Sequence, residues 1–328
     1  MYLLDAEAQF FATAGVVKYL SGLGVIPEMI VVGITNIDRK RDFTPSHTLM
    51  RANGEEDASF ATSGGADAFI KFLQTELIPH IDSNYQTMPY RIIVGHSLGG
   101  LLALHAMAEK PALFPGVIVI DPSIWWDQFF VLRESQKSLA HANTLSNSAY
   151  IALSNRVALD NESFVQSVGA FSDLLKNNQS PGLRSRYQNF DNEDHQTVPL
   201  IAIYSGLVFM FEGYRFPYEE AYENPSIVTE RYRKFSAKMG MEFKPPEPWL
   251  NYLGHSLLRK KNDVNGAIDV FRENVEAYPK SSNAYESLAE AYLVKGDKSL
   301  AIQNYEKAIE LFPDAKNAHA QLKKLEMR

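Results

Sequence analysis

The chain has 328 residues, more than one ordinary domain of roughly 150 residues and fewer than three, so two units are expected. With 45% hydrophobic and 22% charged residues it has a large core to bury, which excludes disordered, collagen-like and disulfide-scaffold classes. A formal charge of -7 argues against a nucleic-acid partner, and the lack of cysteine removes disulfides, thiolate metal sites and cysteine nucleophiles.

The first residues, MYLLDAEAQFF, place acids where an export signal carries positive charge, and the chain is read as cytoplasmic. Six short apolar runs follow, at residues 2–4, 29–33, 90–95, 116–120, 149–153 and 186–190, each succeeded by a helical pattern. Strands that are apolar throughout and separated by helices indicate an α/β fold with a mostly parallel sheet covered on both faces. Function in such sheets sits at the C-terminal strand ends. The longest apolar stretch, residues 198–211, is well short of the 20 or so residues needed to span a bilayer, so a buried helix and no membrane partner are expected.

The third run leads into Gly95-His96-Ser97-Leu98-Gly99-Gly100 and then the helical LLALHAMAEK. This is G-x-S-x-G in its strand-turn-helix setting: the serine occupies a tight turn that exposes its hydroxyl, and the glycines let helix and strand approach. Ser97 is therefore the candidate nucleophile. In this motif the general base comes last in the chain, which selects His195, in the loop between the sixth run and the apolar helix. His96 is expected to point away and pack beside the nucleophile. The orienting acid is open among Glu162 and Asp160, after the fifth run, and Asp121, directly after the fourth; a Ser-His dyad is the remaining alternative.

Pro245, Pro246 and Pro248 mark a linker, giving a first domain over 1–240, a linker over 241–248 and a helical unit over 249–328. A period of 34 runs through that unit, pairing Ala267 with Ala301, Phe271 with Tyr305 and Pro279 with Pro313. The pattern resembles tetratricopeptide repeats, two copies and a capping helix. So few repeats are expected to pack on the preceding domain, either as a structural extension or as a surface for a protein partner or self-association.

The segments YLLD, GHSLGG, DPSIWW and EDHQTVP together resemble the putative-esterase family of α/β-hydrolases, which includes S-formylglutathione hydrolase-type esterases, feruloyl esterases, mycolyltransferases and siderophore esterases. The likeness covers about residues 1–215, and the loop Arg39-Lys40-Arg41-Asp42-Phe43-Thr44-Pro45 matches the family's R-x-R-D-x-T-P. The resemblance implies an α/β-hydrolase fold and an oxyanion hole from the backbone N–H groups of Leu98 and Glu7, with Ala6 standing where the family usually has glycine. It offers two readings for Arg39 and Arg41, contact with an anionic or oxygen-rich substrate or an Arg41-Asp42 element that fixes the loop. Trp125 and Trp126 either line the acyl or aryl pocket or form a core wedge.

The expected activity is that of a serine esterase acting through an acyl-enzyme on a small-molecule ester, without metal or organic cofactor. A siderophore-type ester or lactone is the substrate the resemblance suggests. Acyl transfer on the same site, and an adaptor with an inactive hydrolase domain, are the alternatives.

Overall fold

The computed structural model describes residues 1–139, 144–155, 162–215 and 217–326. It divides into two compact units, Met1–Glu212 and Gly213–Arg328. None of the helices among the described residues is long and apolar enough to cross a membrane.

The first unit is a six-stranded sheet in the order β2-β1-β3-β4-β5-β6, every pairing parallel. The strands are β1 Tyr2–Leu3, β2 Val32–Gly33, β3 Ile92–His96, β4 Gly116–Ile120, β5 Ser148–Ser154 and β6 Arg184–Phe190. All six expected runs form strands. Val117, Ile118, Val119 and Ile120 are wholly buried, and at about 1.5–3 kcal/mol per buried aliphatic side chain this strand anchors the core. Edge strand β6, by contrast, is mostly polar, with Tyr187 and Phe190 its apolar residues, and has no fully buried residue.

Helices α1 Ala6–Gly22, α2 Arg39–Phe43, α3 Ala66–Phe72, α4 Ile78–Asn84, α5 Leu98–Glu109, α6 Trp126–Leu139, α7 Glu162–Asn177 and α8 Val198–Met210 connect or follow the strands. Every residue of α5 from Leu98 to Met107 is buried. Its close seat on β3 requires Gly95, where a Cβ would come within 2.1 Å of the Gly99 carbonyl oxygen. The apolar stretch expected to be a buried helix is α8, and its Gly206 lets it sit on β4, a Cβ there meeting Ile118 at 2.9 Å.

The second unit is entirely helical in its described residues: α9 Tyr218–Glu223, α10 Ile227–Met239, α11 Glu247–Ser256, α12 Val264–Ala277, α13 Ser282–Lys295, α14 Lys298–Leu311 and α15 Lys316–Glu326. Positions 34 apart do the same work here. Asp263 and Asp297 each cap the next helix, accepting from the backbone N–H of Gly266 and Leu300, while Phe271 and Tyr305 are both buried. Gly254 is small because a Cβ would lie 2.4 Å from the Phe271 ring.

The unit boundary differs from the proline-based one. Residues 213–240 belong to the helical unit, where Tyr214, Phe235 and Phe243 form an aromatic cluster, with ring centroids 5.0 Å apart for Phe235 and Phe243. The prolines are internal to that unit: the Pro245 carbonyl accepts from the Tyr278 hydroxyl at 2.8 Å, and Pro246 precedes the first turn of α11. Proline suits a helix start as well as a linker, because the missing N–H is not needed there.

Candidate active site

Three non-glycine residues at strand ends adopt left-handed φ, Asp5 after β1 (52°), Ser97 after β3 (58°) and Asp121 after β4 (43°). Aspartate tolerates this region, but Ser97, with ψ -116°, is strained by about 1–3 kcal/mol. The turn persists because its surroundings hold it. The Ser97 amide donates to the Ile120 carbonyl at 3.0 Å, and its own carbonyl receives the amides of Leu101 and Ser123, each at 3.0 Å. The Ser97 hydroxyl lies 3.2 Å from that of Ser123.

His195 is set by the turn that opens α8. The Asp194 carboxylate accepts the backbone N–H groups of Gln196 (2.8 Å) and Thr197 (2.9 Å), and Thr197 Oγ1 accepts from the Asp194 amide at 3.0 Å. The same two amides hold the Asp194 carboxyl below its ordinary pKa. His195 Nδ1 then lies 2.9 Å from Asp121 Oδ2. Asp121 has no exposed side-chain surface; its Oδ1 accepts from the Ser154 amide at 2.7 Å and its Oδ2 from the Ser154 hydroxyl at 2.5 Å. A buried carboxylate so bonded is an acceptor for an imidazole N–H, which puts the neutral ring's proton on Nδ1 and its lone pair on Nε2.

Among the described residues, the acid beside His195 is Asp121, which follows β4. Glu162 opens α7, its side chain lying outside the described residues, as does Asp160 altogether.

His96 is also placed otherwise than expected. Its Nε2 lies 3.3 Å from His195 Nδ1, with ring centroids 4.2 Å apart. Among the described residues, His96, Asp121 and His195 are the one group whose donor atoms are close enough to grip a single ion, all within 4.8 Å. The His195-Asp121 hydrogen bond engages two of them.

Ser97, His96 and His195 open into one cavity of about 600 Å³, whose wall also includes Asp5, Glu7 and Arg39, Thr13 of α1 and Pro199, Leu200 and Ile203 of α8. Arg39 bridges strand ends: its Nε and one terminal nitrogen grip Asp5 at 2.5 and 2.8 Å, and the latter also donates to the His96 carbonyl at 3.1 Å. Arg41 lies elsewhere. It is half-exposed, pairs with the adjacent Asp42 at 2.7 Å and does not line the cavity.

Leu98 and Glu7 lie in the first turns of α5 and α1, where amides have no intrahelical acceptor. Ala6 does not carry the left-handed φ; Asp5, one residue earlier, does, and the Ala6 amide donates to the Ile34 carbonyl at 3.1 Å. The tryptophans do not line the cavity. Trp126 is fully buried, packs on Phe60 at 4.8 Å and donates its indole N–H to the Ser46 carbonyl at 3.1 Å, with half-buried Trp125 against it.

The parallel sheet and the turn at Ser97 define the fold as that of an α/β hydrolase. The family model described as Putative esterase matches residues 1–160. Ferri-bacillibactin esterase BesA of Bacillus subtilis is 28% identical over 223 residues, covering 64% of this chain and 77% of that protein. The siderophore enterobactin esterase of Emericella nidulans is 27% identical over 163 residues, 45% of this chain and 53% of that one. A crystal structure of an IroE-like serine hydrolase from Shewanella oneidensis aligns with a TM-score of 0.75 and 27% identity, over 84% of this chain and 88% of that chain. These likenesses support hydrolysis of ester bonds.

Proposed function

We propose that the protein is a serine esterase working through an acyl-enzyme. The Ser97 hydroxyl attacks the ester carbonyl and passes its proton to His195 Nε2. Asp121 holds the Nδ1–H tautomer and stabilises the imidazolium. The N–H groups of Leu98 and Glu7 receive the developing oxyanion. Collapse of the tetrahedral intermediate expels the alcohol, which takes the proton from His195, and water, deprotonated by the same histidine, releases the acid from Ser97. No step calls for a cofactor.

The observation that carries this reading is the 2.9 Å contact of His195 with buried Asp121, beside a serine in a strained turn on the same cavity. The relatives' substrates favour a siderophore-type ester or lactone. In the second unit, the helix caps and aromatics that recur 34 residues apart support tetratricopeptide-like repeats, a surface for a protein partner or a second copy.

A panel of para-nitrophenyl esters of graded chain length, run beside a cyclic trilactone, tests the proposal. Hydrolysis that disappears in Ser97→Ala is expected. Inertness toward every ester would favour the adaptor alternative, and acceleration by an added acceptor alcohol would favour acyl transfer.

A further inference from the structure

Sheet register brings a second imidazole to the general base. His96, the last residue of β3, pairs with Ile120 of β4, so the residue after that strand, Asp121, stands at the same end of the sheet. His195 meets both from the loop before α8, its Nδ1 2.9 Å from Asp121 Oδ2 and 3.3 Å from His96 Nε2. Two N–H groups cannot face each other at that distance. With the Nδ1 proton of His195 directed at a buried carboxylate, the facing His96 nitrogen must offer its lone pair, which makes His96 a neutral Nδ1–H tautomer. The contact is then the longer arm of a three-centre hydrogen bond.

Resting on the esterase reading above, we infer that His96 is a positioning residue for His195, sharing its Nδ1 proton with Asp121. The reaction makes this matter at one moment. When the Ser97 proton reaches Nε2, the ring becomes a cation and its Nδ1–H a stronger donor, and two acceptors already in place stabilise it without reorganisation. His195 needs such restraint because it is 26% exposed and sits on a loop, whereas His96 belongs to a central strand and its carbonyl is clamped by Arg39. The arrangement also ties the base to the nucleophile's own turn, since His96 and Ser97 are consecutive.

The test compares His96→Phe, which keeps a ring but has no acceptor, with His96→Gln, whose amide oxygen reaches about as far as Nε2. On a para-nitrophenyl ester, His96→Phe is expected to lower kcat about tenfold with KM changed less than about threefold, and His96→Gln to recover most of the loss. An unchanged kcat in His96→Phe, or a change confined to KM, would overturn the inference. A second readout needs no turnover. In Ser97→Ala protein the low-field proton resonance of His195 Nδ1–H is expected to move on adding His96→Phe and to return toward its original position with His96→Gln; a resonance indifferent to both also overturns it. Failure of the esterase reading is recognised separately, by wild-type protein whose ester hydrolysis does not depend on Ser97.

Discussion

His195 Nδ1 and Asp121 Oδ2 lie 2.9 Å apart, although 74 residues separate them in the chain and Asp121 follows the strand next to the one that leads into Ser97. Asp121 has one oxygen on the Ser154 amide and the other shared by the Ser154 hydroxyl and His195. An amide in its place would present N–H to His195, forcing the proton onto Nε2 where Ser97 needs a lone pair. Asp121→Asn is therefore expected to lower kcat about a thousandfold with little change in Tm, while Glu162→Gln stays within about twofold of wild type. Steady-state kinetics of the two variants decides between the acids.

The strain at Ser97 gives a stability prediction independent of substrate. Glycine adopts φ 58°, ψ -116° without a Cβ clash, a relief that outweighs its own entropic cost. Ser97→Gly should melt about 2–4 °C above Ser97→Ala, which should melt with wild type. Calorimetry on the three proteins measures it; a Ser97→Gly that melts below Ser97→Ala would show the turn to be unstrained.

Gly95 faces a harder constraint. An added Cβ meets the Gly99 carbonyl oxygen at 2.1 Å, the Gly99 carbonyl carbon at 2.3 Å and the Gly100 nitrogen at 2.8 Å, all backbone. Gly95→Ala is expected to cost more than about 4 kcal/mol and to be lost from the soluble fraction. Recovery of a soluble protein with a wild-type melting curve would contradict this packing.

The sheet was legible because apolar runs such as residues 116–120 allow no other reading once helices intervene, and Ser97 and His195 because G-x-S-x-G has a mechanical meaning and a chain order. That order says only that an acid precedes the histidine, a condition met equally by Asp121, Asp160 and Glu162. What distinguishes Asp121 among them is its place at the end of a wholly buried strand, where a charge requires partners. His96 escaped because its direction depends on strand register, which pairs it with Ile120 and which no local pattern encodes. Trp126 is apolar with one polar atom, and only the tertiary fold shows that atom spent on the Ser46 carbonyl. The prolines misled about the unit boundary because the same residue type opens helices and marks linkers.

Burial raises the pKa of the Glu273 carboxyl, opposed by a hydrogen bond from the Thr229 hydroxyl at 3.0 Å. A carboxyl whose folded pKa exceeds its unfolded value binds protons more tightly in the native state, so stability falls as pH rises from the unfolded value through the folded one. Glu273→Gln keeps an acceptor for Thr229 and carries no charge. It should raise the Tm of the second unit's transition at pH 7 and show no advantage at a pH below the ordinary glutamate range, as followed by thermal melts across pH.

Covalent labelling reads directly whether Ser97 is the nucleophile. Protein treated with an alkyl fluorophosphonate and digested for mass mapping should carry one adduct, on the peptide containing Ser97, with loss of ester hydrolysis in proportion to labelling. Ser97→Ala should take up no label. Labelling that persists in Ser97→Ala, or an adduct at another residue with hydrolysis abolished, would show that Ser97 is not the nucleophile.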